Sequence, residues 1–334
     1  MKYRIFAVLV LSVLVINLGG STFAESKARR SGAELVSLLP ASDGVVILDV
    51  KRFFGDALPK LLSSNQPMLA KVRGEIEKFQ TRSGIDIRQF DSIAAGVSSK
   101  QLAAKKYDVE PVVIARGQTS SASLIAAAKQ APNVKYTEER FGERTIYIFA
   151  APKIATAGPS SDKFADGIAV TAIDSTTLAF GTLGRVRQTL EGRTKVGTDL
   201  TALLGQNPTA VTSFAGKLPA GMKAFLPLEN DEIGKNIDSI QYVYGNANVE
   251  ADVASVQMTA RTLQAAQAKS LHDTLVGLQS LGKAFLGGAK AADKQVYSRL
   301  INNVKFTQKG NEVVLDLQVP QSDIDILVGA LRVK

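Results

Sequence analysis

The spacing of apolar residues divides this chain into short strands and amphipathic helices. Ser31-Gly32-Ala33-Glu34 has the form of a capping box, and predicts a helix ending near Pro40. Asp43-Gly44 marks a turn. Val45 to Val50 (VVILDV), β-branched and apolar, predicts a buried strand. Phe53, Leu58, Leu61 and Leu62 define one helical face, and Met68, Val72, Ile76 and Phe79 a second. Pro67 suits the start of that second helix and Gly84 its end.

Phe90 to Val97 and Pro111 to Ala115 read as strands, and Ser120 to Lys129 as an alanine-rich helix. Val134 to Thr137 and Thr145 to Phe149 pair as a hairpin through Phe141-Gly142. Residues 152–167 (PKIATAGPSSDKFADG) read as a long exposed loop. Ile168 to Ile173 and Thr177 to Phe180 form another hairpin, Leu183 to Leu190 a short helix, and Gly192 to Thr198 a linker. Beyond it, Ala210 to Phe214, Ile237 to Glu250 and Asp252 to Leu263 read as strands. Ala265 to Leu286 is the longest helix. Asn303 to Gln308 and Glu312 to Val319 flank the Lys309-Gly310-Asn311 turn, and Ser322 caps a last helix.

Four pieces recur in the same order. Leu38-Leu39 before a strand matches Leu203-Leu204; Phe90-Asp91-Ser92-Ile93 matches Ile237-Asp238-Ser239-Ile240. Val113 to Arg116 resembles Met258 to Arg261, and Val134 to Thr137 matches Val304 to Thr307. The expectation is an α+β protein with an internal duplication: two similar halves, each a mostly antiparallel sheet with helices packed on one face. The domains are 38–195 and 199–334, preceded by a linker and first helix at 25–37. A groove between the halves is the expected ligand position.

The N-terminus changes the compartment. Lys2 and Arg4 precede an apolar run from Ile5 to Leu18; Gly19, Gly20 and Ser21 break it, and Thr22-Phe23-Ala24 offers small residues at a cleavage site. This is the pattern of a secretory signal over residues 1–24, with the working protein starting near Glu25. The run is short for a membrane span, which leaves an uncleaved anchor as the alternative. The expected location is periplasmic or extracellular. Without cysteine, stability there cannot rest on disulfides, and a chain of about 310 residues buries an adequate core without them.

The net charge of +9 falls to +7 once Lys2 and Arg4 leave with the signal. That modest excess allows an anionic envelope component or peripheral membrane contact as partner, but its scatter forms no binding tail. Export and low aromatic content argue against nucleic acid.

The candidate chemistry is thin. The one histidine, His272, falls in the longest helix with no partner motif. Gly277 to Lys283 (GLQSLGK) matches a phosphate loop except that Ala284 replaces the magnesium-binding hydroxyl, and it too falls inside that helix. Ser160/Lys163 and Ser280/Lys283 match a Ser-x-x-Lys pattern without its companion elements. Asp323 and Asp325 fit first-turn acids. Asp43-Gly44 lacks the further acids of a calcium loop. Glu138-Glu139, beside Arg140, Glu143 and Arg144, reads as a solvated hairpin tip. No residue is assigned as catalytic, cofactor-binding or metal-binding, and no cofactor is expected.

Leu38 to Val50 (LLPASDGVVILDV), Ser83-Gly84-Ile85-Asp86, Phe90-Asp91-Ser92-Ile93 and the Lys135 to Phe149 hairpin together resemble a family of exported bacterial proteins of unknown function. The resemblance covers mainly the first half and implies no activity. The reading that follows is an exported, non-enzymatic binding protein of the cell envelope with an unknown partner. The alternatives are a carrier of an apolar ligand between the halves and a hydrolase of unrecognised type.

Overall fold

A computed structural model describes residues 25–103, 106–150, 167–207, 210–218, 231–250, 253–286 and 292–330. The signal at 1–24 and almost all of the 152–167 loop lie outside them.

Twelve strands form one sheet. In chain order they are β1 (Gly44–Asp49), β2 (Phe90–Ala103), β3 (Lys106–Gly117), β4 (Tyr136–Phe141), β5 (Arg144–Phe149), β6 (Ile168–Ala172), β7 (Thr177–Gly181), β8 (Thr212–Lys217), β9 (Ile240–Glu250), β10 (Val253–Thr262), β11 (Lys305–Lys309) and β12 (Glu312–Pro320). Across the sheet they lie in the order β11-β12-β10-β9-β8-β1-β2-β3-β7-β6-β5-β4. Every neighbouring pair is antiparallel.

The expected α+β class holds, with a large antiparallel sheet and helices. Two finer expectations do not. The halves do not carry separate sheets, because β1 pairs with β8 from Gly44↔Gly216 to Leu48↔Thr212, and the Asp49 amide donates to the Val211 carbonyl at 2.9 Å just beyond that ladder. Either strand alone would be a buried edge with unpaired backbone groups, and the pairing removes both edges.

Nor are the helices confined to one face. Adjacent residues on β7 point to opposite sides, and both sides are buried: Ala179 joins one core and Leu178 another. The first face carries α1 (Glu25–Leu38), α5 (Leu183–Glu191) and α6 (Thr198–Leu204). Its core joins Leu35 of α1, Leu39 just beyond it, Val45, Ile114 and Val186 to Leu200 of α6 and Tyr244 of β9. The second face carries α2 (Val50–Arg52 and Leu58–Leu61, with a π-helical turn at Phe53–Ala57 between them), α3 (Gln66–Ser83) and α4 (Ser121–Gln130). It also carries α8 (Ala265–Leu286) and α10 (Gln321–Ala330), while α7 (Asp231–Asp238) and α9 (Ala292–Asn303) pack against their neighbours α8 and α10. Burying each large apolar side chain of this kind stabilises the fold by about 1.5–3 kcal/mol.

Several boundaries shift. Helix α1 already runs from Glu25, so Ser31 lies inside it and is no cap; Lys27, Ala28 and the two arginines are all good helix formers. The linker reading of residues 192–198 misses that Val196 is buried in the first core. Residues 237–238 and Asn303, expected to open strands, instead end helices at Asp231–Asp238 and Ala292–Asn303, so β9 starts at Ile240 and β11 at Lys305. Helix α10 begins at Gln321, one residue before the expected cap.

Candidate functional site

On the first face, α1 and α6 stand on either side of the β1–β8 seam and leave a cleft of about 150 Å³ between them. Gly32 sets the approach of α1, because a Cβ there would meet Ile47 Cγ2 at 2.9 Å. The walls are apolar, from Val36, Ile47 and Leu204. The polar groups are Asp49 and Arg52 at the end of β1, Ser92 on β2, Ser213 on β8, and Thr201 and Asn207 from α6 and its exit. Register explains the grouping. Ile47 lies between Ala94 and Ser213, and Asp49 opposite Ser92, so alternate residues of three strands converge under the two helices. Ser92 and Ser213 are buried, with 2% and 9% exposure.

Asp49 has two duties. It caps α2, its Oδ1 accepting from the Arg52 amide at 2.9 Å, and it is 9% exposed at the cleft. Burial raises its pKa above the ordinary aspartate value. The Arg52 amide and the positive charges of Arg52 and Lys51 oppose that rise, and the Asp91 carboxylate adds to it. Asp91 is itself paired with Lys51 at 2.7 Å. Next to the cleft and sharing Leu204, Asn207 and Ser213 with it, a hollow of about 10 Å³ reaches toward β9 and β10. There Asn207 Nδ2 donates to Asn246 Oδ1 at 2.9 Å.

The Asp49 bond goes to a backbone amide rather than to a serine hydroxyl. His272 cannot serve: α8 packs on the second face against Val313 and Phe306, whereas the cleft lies on the first. Its Nδ1 lies 3.2 Å from Asp273 Oδ1.

The other sequence candidates are dispersed. Gly277 to Lys283 forms unbroken helix within α8, and Ser280 Oγ donates to the Val276 carbonyl at 2.9 Å. Ser160 and Lys163 lie outside the described residues. Glu138 and Glu139 are in β4, not at a tip, paired with Lys129 at 2.9 Å and Arg187 at 2.5 Å. Asp323, in the first turn of α10, is held by Arg299 at 2.6 Å, and Ser64 donates to Asp325. Among the described residues no group of three or more acidic, histidine or cysteine side chains could hold a metal. No described helix is long and apolar enough to cross a membrane.

Sequence reasoning passed over Asp49 and Arg52. The available signal was an acid ending an apolar strand, followed at once by Lys51-Arg52.

No family model matches the chain, and no curated protein matches it. Among solved structures, crystal form IV of TP0453 aligns over 91% of this chain and 99% of its own at 10% identity, with a TM-score of 0.47. Crystal form III of TP0453 aligns over 88% and 97% at 9% identity, with a TM-score of 0.45. Scores this low carry no argument about fold or function.

Proposed function

We propose that this chain is an exported, non-enzymatic interaction protein of the cell envelope that takes an anchoring side chain of its partner into the cleft between α1 and α6. The cleft volume carries the reading. At about 150 Å³ it falls short of the roughly 300–1,000 Å³ of small-molecule pockets, which favours a small inserted group such as the buried anchors of protein interfaces. An apolar-ligand carrier would need more room, so that reading is the weaker one.

The test is capture from an envelope extract by wild-type protein and by an Ala210→Phe variant that fills the cleft. Partner recovery should fall at least ~10-fold in the variant, with the thermal transition retained. Equal recovery by both would sink the cleft reading. Stoichiometric lipid released from the purified wild type would favour the carrier instead.

We also infer that the halves arose by duplication. β1 and β8 sit side by side and antiparallel, as a two-fold relation requires, and each is followed outward by a long hairpin, β2–β3 or β9–β10. The first half departs from the second by carrying two hairpins beyond β3, β6–β7 and β4–β5, where the second carries one beyond β10, β11–β12.

A further inference from the structure

Helices α8 and α9 form an antiparallel pair that leaves an apolar strip exposed along α8. Five of the ten large apolar side chains exposed among the described residues lie on this pair, against the scatter expected of an ordinary surface. Leu278, Leu281 and Phe285 are 39%, 68% and 92% exposed. Their i, i+3, i+7 spacing places them on one face of α8, the two-position seam by which helices pair. Gly282 of α8 rests on Ile301 of α9, where a Cβ would come within 3.0 Å of Ile301 Cδ1. Tyr297, one turn before Ile301 and so on the α8 side of α9, is 47% exposed. The seam changes status along α8. Near its start Thr274 is tied to Asn236 of α7 at 2.8 Å, and beyond Thr274 no described element continues that cover.

We propose that this seam is the contact between two copies of the chain, with α8 packed antiparallel on its symmetry mate about a two-fold axis. Three features favour a second copy. The seam positions carry no charge, so apposing identical faces brings no like charges together, and a two-fold axis is the commonest oligomer symmetry. The area reaches the lower edge of what is needed: a fully buried aromatic side chain hides roughly 150–250 Å², Phe285 is almost wholly and Tyr297 half available, and with the leucines two copies hide up to about 1,000 Å², the threshold for a specific interface. A membrane surface fits less well, because helices that lie in the lipid interface carry a strongly charged outer face. On α8 that face offers Lys269 and Lys283, with Lys269 paired to Asp273 at 2.7 Å.

The chain contains no cysteine, so one introduced thiol reports contact between copies directly. Full-length protein, sedimented across a concentration series, should show a monomer–dimer equilibrium. Leu281→Asp with Phe285→Asp should weaken it at least ~100-fold without changing the circular dichroism spectrum, since both positions are exposed. Leu281→Cys should form a disulfide-linked dimer under mild oxidation; Lys269→Cys, on the outer face, should not. A wild-type chain that stays monomeric throughout the series would overturn the proposal, as would a dimer indifferent to both aspartates. A monomer that floats with vesicles of phosphatidylglycerol and phosphatidylethanolamine, and loses flotation in the double variant, would assign the seam to lipid and also overturn it.

Discussion

At the residue scale, Asp49 joins stability to the cleft. Its pKa is raised chiefly by burial, so ionisation opposes folding. The sign follows by linkage: the neutral form's advantage is fully present below the ordinary aspartate pKa and is lost as pH rises through the raised one. Asp49→Asn keeps the helix cap, since asparagine caps as well as aspartate, and removes the buried charge. The variant should therefore be more stable than wild type at pH 7, and the gap should close as pH falls below 4. Asp49→Ala also removes the cap, which costs about 1 kcal/mol, and should fall below Asp49→Asn at every pH. Urea titrations at several pH values measure both differences. Gly84 offers a second contrast. It ends α3 at φ 71°, and a Cβ there would meet the Ala127 carbonyl oxygen at 2.6 Å. Gly192 ends α5 at φ 64° with nothing nearer than Lys195 Nζ at 3.8 Å. Gly192→Ala should cost ~1 kcal/mol from backbone strain alone, and Gly84→Ala clearly more, read as the shift in urea midpoint.

At the element scale, the caps of α4 and α5 differ in a way that stability can read. Ser120 Oγ accepts from the Ser123 amide at 3.1 Å, so Ser120→Ala should cost about 1 kcal/mol. Thr182 stands at the same place on α5, but its hydroxyl makes no cap bond and is buried without a partner among the described residues. Thr182→Val should be neutral or stabilising, because it removes an unsatisfied buried group without losing a bond. Calorimetry of the two variants separates the cases. Elements with strong local signals were legible in the sequence. Val45 to Asp49 of the VVILDV run became β1, with Val50 opening α2, the Gly142 turn sits where Phe141-Gly142 predicted, and Ala265 to Leu286 is a helix over that span. Elements whose pattern depends on distant partners were not. The outer stretch of β2, Ser98-Ser99-Lys100-Gln101, with Lys100 opposite Asp108, is continuously polar and so carries no burial signal. The cleft was not legible as a set of residues, since only the cross-strand register brings Asp49 beside Ser92 and Ile47 beside Ser213.

At the scale of the whole molecule, the β1–β8 seam decides whether the halves behave as two domains or one. The first core runs without interruption from Leu35, Val45 and Val186 into Leu200, Ala215 and Tyr244, so each half completes the other's interior. Cut at residues 195–199, the chain would expose β1 and β8 as open edges and strip α6 from the core it fills. One thermal transition with calorimetric and van't Hoff enthalpies in agreement should therefore describe the protein. Leu200 is fully buried, so Leu200→Ala should destabilise by about 2–5 kcal/mol. It should lower that single transition as a unit, although most of the first core's strands belong to the first half. Residues 38–195 and 199–334, produced separately, should each lack a cooperative transition, and mixing them should restore one if the seam can re-form. Two independent transitions in the intact chain, or a cooperative transition in either piece alone, would show that the seam joins domains that already fold by themselves. The cleft would then be an adjustable gap rather than a preformed pocket, and the Ala210→Phe capture test would have to be read alongside the relative motion of the halves.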